Sequence, residues 1–235
     1  MIVIGGTGNW HHEVSLSTSL IDNFVQGVEK QVADSIAMYR TSRDNGTLTV
    51  YDVGGDDPDG DSIETCRTMD VHQGLDSETW DLDELFERYF PNLQRRSALL
   101  TLWGFVEHEL DKLCLLYQRE KAFSLTFSDL SGTGIDRSTN YLEKVAELKG
   151  LKASQEYDQL DALREIRNAV THNDGRLKGR DGKPKAKVLA AMKKVGYVTG
   201  DNELIFQHGF LSRALNICFN YFTVIGTATK KRAQT

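Results

Sequence analysis

A chain of 235 residues with 40% hydrophobic and 26% charged residues carries enough apolar material for one sizeable core. Its net charge of −6 argues against a uniformly cationic nucleic-acid binder, and no apolar run approaches the length of a membrane span. The start, MIVIGGTGNWHHE, lacks the basic region of a signal peptide. Cys66, Cys114 and Cys218 are odd in number and far apart, so free thiols in a reducing, cytoplasmic compartment are expected.

Apolar residues at Leu16, Leu20, Phe24, Val28, Val32 and Ile36 recur every four positions and predict a first helix over 14–40. The pattern breaks over 44–79. There TLTVYDV reads as a strand, GGDDPDGD as a turn and IETCRTMDV as the hairpin partner, giving an inserted hairpin or irregular loop. WDLDELFERYF predicts a short helix ending before Pro91. A long helix to about Lys121 follows, with Leu99, Trp103, Val106, Leu110, Leu113 and Tyr117 as its stripe.

Residues 122–136 read as a connector, and a helix is expected over 137–148. The next spans about 155–171, a short one 185–195, and a last apolar one 210–227, with a turn at Thr199-Gly200-Asp201-Asn202 before it. The expected fold is all-α: an up-and-down helical bundle carrying the insertion near 44–79. Two parts are expected: residues 1–79, a helix plus insertion packed on the bundle, and 80–235, the main helical domain.

The stretch Arg167-Asn168-Ala169-Val170-Thr171-His172 pairs a permanent cation with an imidazole at R-x4-H spacing. A guanidinium neutralises charge on phosphate oxygens, and an imidazole moves a proton near neutral pH, so the two suit phosphodiester cleavage. Spacing alone carries little, because a second match runs from Arg67 to His72 in CRTMDVH. That copy lacks a helix, an Asn, a following Gly and a basic flank. The flank of the other copy is marked. Residues 176–194 hold Arg176, Lys178, Arg180, Lys183, Lys185, Lys187, Lys193 and Lys194 against Asp181, a local charge of +7 that leaves −13 elsewhere. Such a segment is either a solvated face or a phosphate-contacting one.

On a helical wheel His172 lies about 40° from Asn168, and Arg164 about 40° the other way, with Asp161 between. Leu163, Ile166 and Val170 fall on the opposite, core-facing side. Arg167 stands about 140° from His172, so the two do not converge on one regular helix. A two-fold partner, or unwinding at Asn173-Asp174-Gly175, would bring them together. Asn168, one turn before His172, is placed to orient the ring or a phosphate. Glu107 is expected to pair with Arg167 or Arg164.

REIRNAVTHNDG resembles the signature of HEPN domains, R-x4-6-H with a polar residue after the Arg. The order of a long helix (LLTLWGFVEHELDKLC), a connector and the motif helix fits the same family over roughly residues 80–228. The resemblance implies an all-α bundle, a homodimer and a ribonuclease site at its interface, often in toxins or phage-defence effectors; other members are non-catalytic. It assigns Arg167 and His172 to catalysis, with Asn168, Glu107 and Arg164 in support. Members modified on a tyrosine carry it two residues after the His. Here that place is Asp174, so nucleotidylation is not expected.

Other candidates fall away. Ile4-Gly5-Gly6-Thr7-Gly8 lacks the second strand of a dinucleotide fold. Asp57, Asp59 and Asp61 fail the calcium-loop alignment, which puts Cys66 at the last ligand position. His11-His12-Glu13 has no second metal-binding pair, and no metal or cofactor is expected. The expected activity is metal-independent cleavage of single-stranded RNA, with Arg176, Lys178, Arg180, Lys183, Lys185 and Lys187 holding the strand. The expected partners are RNA, a second copy and an antitoxin or regulatory protein, with no membrane. The alternative is a non-catalytic dimeric binding module.

Overall fold

The computed structural model describes residues 6–7, 10–43, 47–56, 62–179 and 182–233. Among these the protein is mainly helical, with six α-helices and a hairpin inserted after the first. They are α1 (Trp10–Arg43), α2 (Phe90–Lys121), α3 (Gly134–Lys144), α4 (Gln155–Asn173), α5 (Ala186–Val195) and α6 (Phe210–Ala233). Strands β1 (Thr47–Asp56), β2 (Ser62–His72) and β3 (Leu75–Asp76) form an antiparallel sheet in that order. β4 (Val198–Thr199) and β5 (Ile205–Phe206) form a second small hairpin. No helix among the described residues is long and apolar enough to cross a membrane.

The chain divides at Glu29/Lys30 and Gln94/Arg95 rather than near residue 79. One unit holds the start of α1 together with everything from Arg95 on; the other holds residues 30–94. Trp10, Val14 and Val25 of α1 are buried in the main core. That core is built from Leu99, Trp103, Leu110, Leu163, Ile166, Leu211 and Tyr221, among others. The 30–94 unit has its own small cluster, Tyr39, Leu82 and Phe86.

In α1 the buried positions are Trp10, Val14, Ser17, Val25, Glu29, Val32 and Tyr39. Leu16, Leu20 and Phe24 of the expected stripe are 60%, 71% and 39% exposed. Strict four-residue spacing drifts about 40° per step, so the Leu16–Leu20–Phe24 row winds off the core face; mixed steps of three and four hold it. The expected break at Pro91 is also absent. Residues 82–121 are helical throughout, with a π-helical turn at Glu84–Tyr89 in which Phe90 N–H reaches Leu85 O. The wider turn accommodates a ring that lacks an N–H and crowds the preceding carbonyl.

The insertion is a hairpin in register Thr47↔Asp70 to Val53↔Glu64, and β1 continues through Gly54 and Gly55, which were expected in the turn. Residues 57–61, with the three aspartates, lie outside the described residues.

Candidate active site

The motif helix α4 is locally well specified. Ser154 Oγ accepts Tyr157 N–H at 3.1 Å, capping its start, with Glu156 and Asp158 in the first turn facing the positive end of the dipole. The helix runs two residues past the expected Thr171, so His172 sits in its last turn. It stops because Asp174 and Gly175 turn left-handed, φ 51° and 71°, and Gly175 N–H returns to Ala169 O at 2.9 Å.

Beyond that stop the basic flank folds into a small three-stranded arrangement. Leu177 N–H donates to Asn202 O (2.8 Å), and Leu204 N–H to Gly175 O (2.8 Å), on one side. On the other, Lys185 N–H donates to Leu177 O and Gly179 N–H to Lys183 O, both at 2.9 Å. Residues 176–178 are thus the middle segment, bridged through Arg176↔Glu203 and Lys178↔Pro184. Alternation along an extended segment sends Leu177 to the core and leaves Arg176 and Lys178 exposed on the opposite face.

Thr171, His172, Asn173 and Asp174 then meet Arg176, Lys178, Gly179, Asn202 and Glu203 around an open cleft of about 780 Å³. Lys178 Nζ donates to Asn202 Oδ1 at 3.1 Å. Arg176 makes no ion pair among the described residues. The acids of the cleft are held from below by Arg96, which is 5% exposed. Its Nη2 reaches Glu203 Oε2 (3.0 Å) and Leu204 O (3.1 Å); its Nη1 reaches Asp174 O (3.3 Å) and Oδ1 (3.4 Å).

Arg167 does not line this cleft. It lies half-buried over the Trp103 ring, 5.6 Å from its centroid, with Nη1 donating to Asn168 Oδ1 at 3.1 Å and Nη2 3.7 Å from Glu107 Oε2. Glu107 is itself fixed by Trp103 Nε1 at 2.8 Å. A Cβ on Gly134, at the start of α3, would fall 2.4 Å from the Glu107 carboxylate and displace it, and the φ of +52° there favours glycine. Asn168 therefore serves Arg167 rather than the His172 ring. Arg164 pairs with Asp161 at 2.5 Å one turn earlier.

Of the other basic residues, Lys183 and Lys187 are exposed, and Lys194 is bound to Asp158 at 2.7 Å. Lys185 turns its ammonium inward without a hydrogen-bond partner among the described residues. Arg180 lies outside the described residues.

The second R-x4-H copy has a structural histidine. His72 Nδ1 is 2.6 Å from Ser42 Oγ, and its ring packs edge-on against Tyr39 and Phe86. Gly6 and Thr7 of the glycine-rich start approach a carboxylate, not an open anion site: Thr7 N–H and Oγ1 both donate to Glu120, at 2.7 and 2.6 Å. Among the described residues no group of three or more His, Cys, Asp or Glu is placed to hold a metal ion.

Sequence reasoning missed Arg96, Asn202 and Glu203. A signal for Arg96 was present: stepping back from Leu99 along the apolar stripe of α2 leads to Arg96, Arg95 and Asn92, all buried. A charge on a core stripe has to be paired, and its partners mark a constrained place. Asn202 and Glu203 carry no comparable signal, since only the fold brings them beside α4. No family model, no curated protein and no solved structure matches the chain.

Proposed function

We propose that the chain is a metal-independent endoribonuclease acting on single-stranded RNA. The observation that carries this reading is the grouping of an imidazole, His172, with two exposed cations, Arg176 and Lys178, in one open cleft. His172 takes the proton of a ribose 2′-OH; the 2′-oxygen attacks the adjacent phosphorus, and the 5′-oxygen leaves with a proton from the acid form of an imidazole or from water. The products are a 2′,3′-cyclic phosphate and a 5′-OH. Arg176 and Lys178 hold the phosphodiester backbone, with the exposed Lys183 and Lys187 extending the track; Lys185, its ammonium turned inward, does not join it. This chemistry draws its nucleophile from the substrate, so it needs no metal-bound water.

Arg167 takes part only if a second copy presents it. A site shared between copies has a direct consequence: Arg167→Ala and His172→Ala proteins, each inactive alone, regain activity on mixing, because one site of the mixed dimer keeps both residues. Mixing that restores nothing removes Arg167 from the reaction. The HEPN resemblance supports this arrangement, together with a cytoplasmic toxin or phage-defence role and an antitoxin or regulatory partner.

One observation favours a second reading, a non-catalytic dimeric binding module. Arg167 is already engaged by Trp103, Asn168 and Glu107, as a structural residue would be. Expression in a bacterial host separates the two. The ribonuclease slows growth and His172→Ala relieves it, whereas the binding module leaves both cultures alike.

A further inference from the structure

We propose that Arg96 is a positioning residue that neutralises the carboxylates of the His172 cleft and so makes the cleft a site for a polyanionic backbone. This rests on the reading of the cleft as the RNA site for its substrate, though not for its electrostatics. The cleft holds two acids, Asp174 and Glu203, among its cations. Facing a phosphodiester, either carboxylate repels it. Arg96 lies beneath both, its side chain 6% exposed, and spends one nitrogen on Glu203 and the other on Asp174. The guanidinium is buried while Asp174 and Glu203 are 79% and 42% exposed, so solvent screens each pair from the cleft side, and the effect rests on the charge balance rather than on the strength of either pair. With Arg96 in place, the charged groups facing His172 are Arg176, Lys178 and Arg96 against Asp174 and Glu203, a balance of +1. Without it the balance is 0.

The same guanidinium fixes the backbone that bears the imidazole. It holds Asp174 O, just past the end of α4, and Leu204 O, on the segment paired with Gly175. Gly175 is shaped to it, since a Cβ there would lie 2.8 Å from Arg96 Nη2. Arg96 therefore sets both the position of His172 relative to Arg176 and the net positive charge of the cleft between them.

The test combines the NMR titration of the His172 imidazole with binding of a fluorescein-labelled, 2′-O-methylated oligouridine of about 12 nucleotides, which cannot be cleaved by its own sugar. Arg96→Met is expected to raise the imidazole midpoint by about half a unit, because two carboxylates lose their counter-charge. Binding should weaken about tenfold. Adding Glu203→Gln to Arg96→Met should restore most of both, which a residue of merely structural value would not allow. Arg96→Lys should keep the midpoint near that of the native protein. If Arg96→Met does not fold, Glu203→Gln alone serves: with Arg96 intact and opposed by Asp174 alone, the midpoint falls and binding tightens.

An imidazole midpoint that stays still in Arg96→Met, or a Glu203→Gln change that gives no rescue, overturns the proposal. Native protein that binds no oligouridine while the midpoint moves as described sinks the ribonuclease reading and leaves the role of Arg96 standing.

Discussion

Gly175 shows how one residue links the end of a helix to the chemistry beside it. Its φ of +71° is a left-handed conformation, and a Cβ would press on the Arg96 guanidinium. Gly175→Ala should cost about 1–2 kcal/mol from the backbone alone, read as a lower urea midpoint. It should also shift the His172 resonances, which a remote destabilisation would not. Buried charge makes a second prediction. Glu29 and Arg95, each with a side chain 9% exposed, join at 2.8 Å, with His208 Nδ1 3.1 Å from the same carboxylate oxygen. Arg95→Met leaves Glu29 with little counter-charge in the core and should destabilise by about 3–5 kcal/mol. A loss below about 1 kcal/mol would show that water reaches the pair. The thiols follow the same physics in reverse. Burial pushes Cys114 well above the usual thiol range and Cys218 up to about 12. In a Cys66→Ser background, neither should react with a thiol reagent faster than the protein unfolds.

At the scale of elements, the helices were legible and their faces less so. The extents of α2, α4 and α5 follow from apolar periodicity, whereas α6 runs six residues past the expected 227, and Ser154 and Gly175 bracket α4 as capping rules require. The face of α1 was misread because a four-residue row looks like a stripe over two turns and leaves it over four. The outcome is measurable: Leu20→Ser should change stability by no more than about 0.5 kcal/mol, whereas Val25→Ser, in the core, should cost about 2 kcal/mol or more. Equal effects would contradict the observed face. Pro91 was misread as a stop because its local clash was weighed without the π-helical turn that relieves it. The small sheet of residues 176–204 was not legible at all. Its segments are two or three residues long, too short for alternation to register, and their pairing is set by α4 and α5 on either side. Half of the candidate site was therefore visible in sequence, namely His172, Arg176 and Lys178. The half that shapes it, Arg96, Asn202 and Glu203, was not.

At the scale of the molecule, stability and function draw on different ends of α4. Near its start, Asp136 is held below the usual carboxylate range by hydrogen bonds from Lys152 and then Tyr157. A depressed pKa contributes stability above the unfolded value of 3.8 and loses it as pH falls through the folded one, so this contribution disappears on the acid side. Asp136→Asn should flatten the acid limb of the stability profile and leave the neutral cleavage rate unchanged. At the other end, the distribution of charge decides what the chain binds: net −6 overall, with the cations gathered where His172 stands. The most direct test of the ribonuclease reading is cleavage of a single-stranded RNA in EDTA, beside the same strand with 2′-deoxy sugars and beside the His172→Ala protein. The account predicts 2′,3′-cyclic phosphate ends from the RNA, an intact deoxy strand, and a loss of about 100-fold or more in His172→Ala. RNA left whole by the native protein, or cut equally well by His172→Ala, would contradict it.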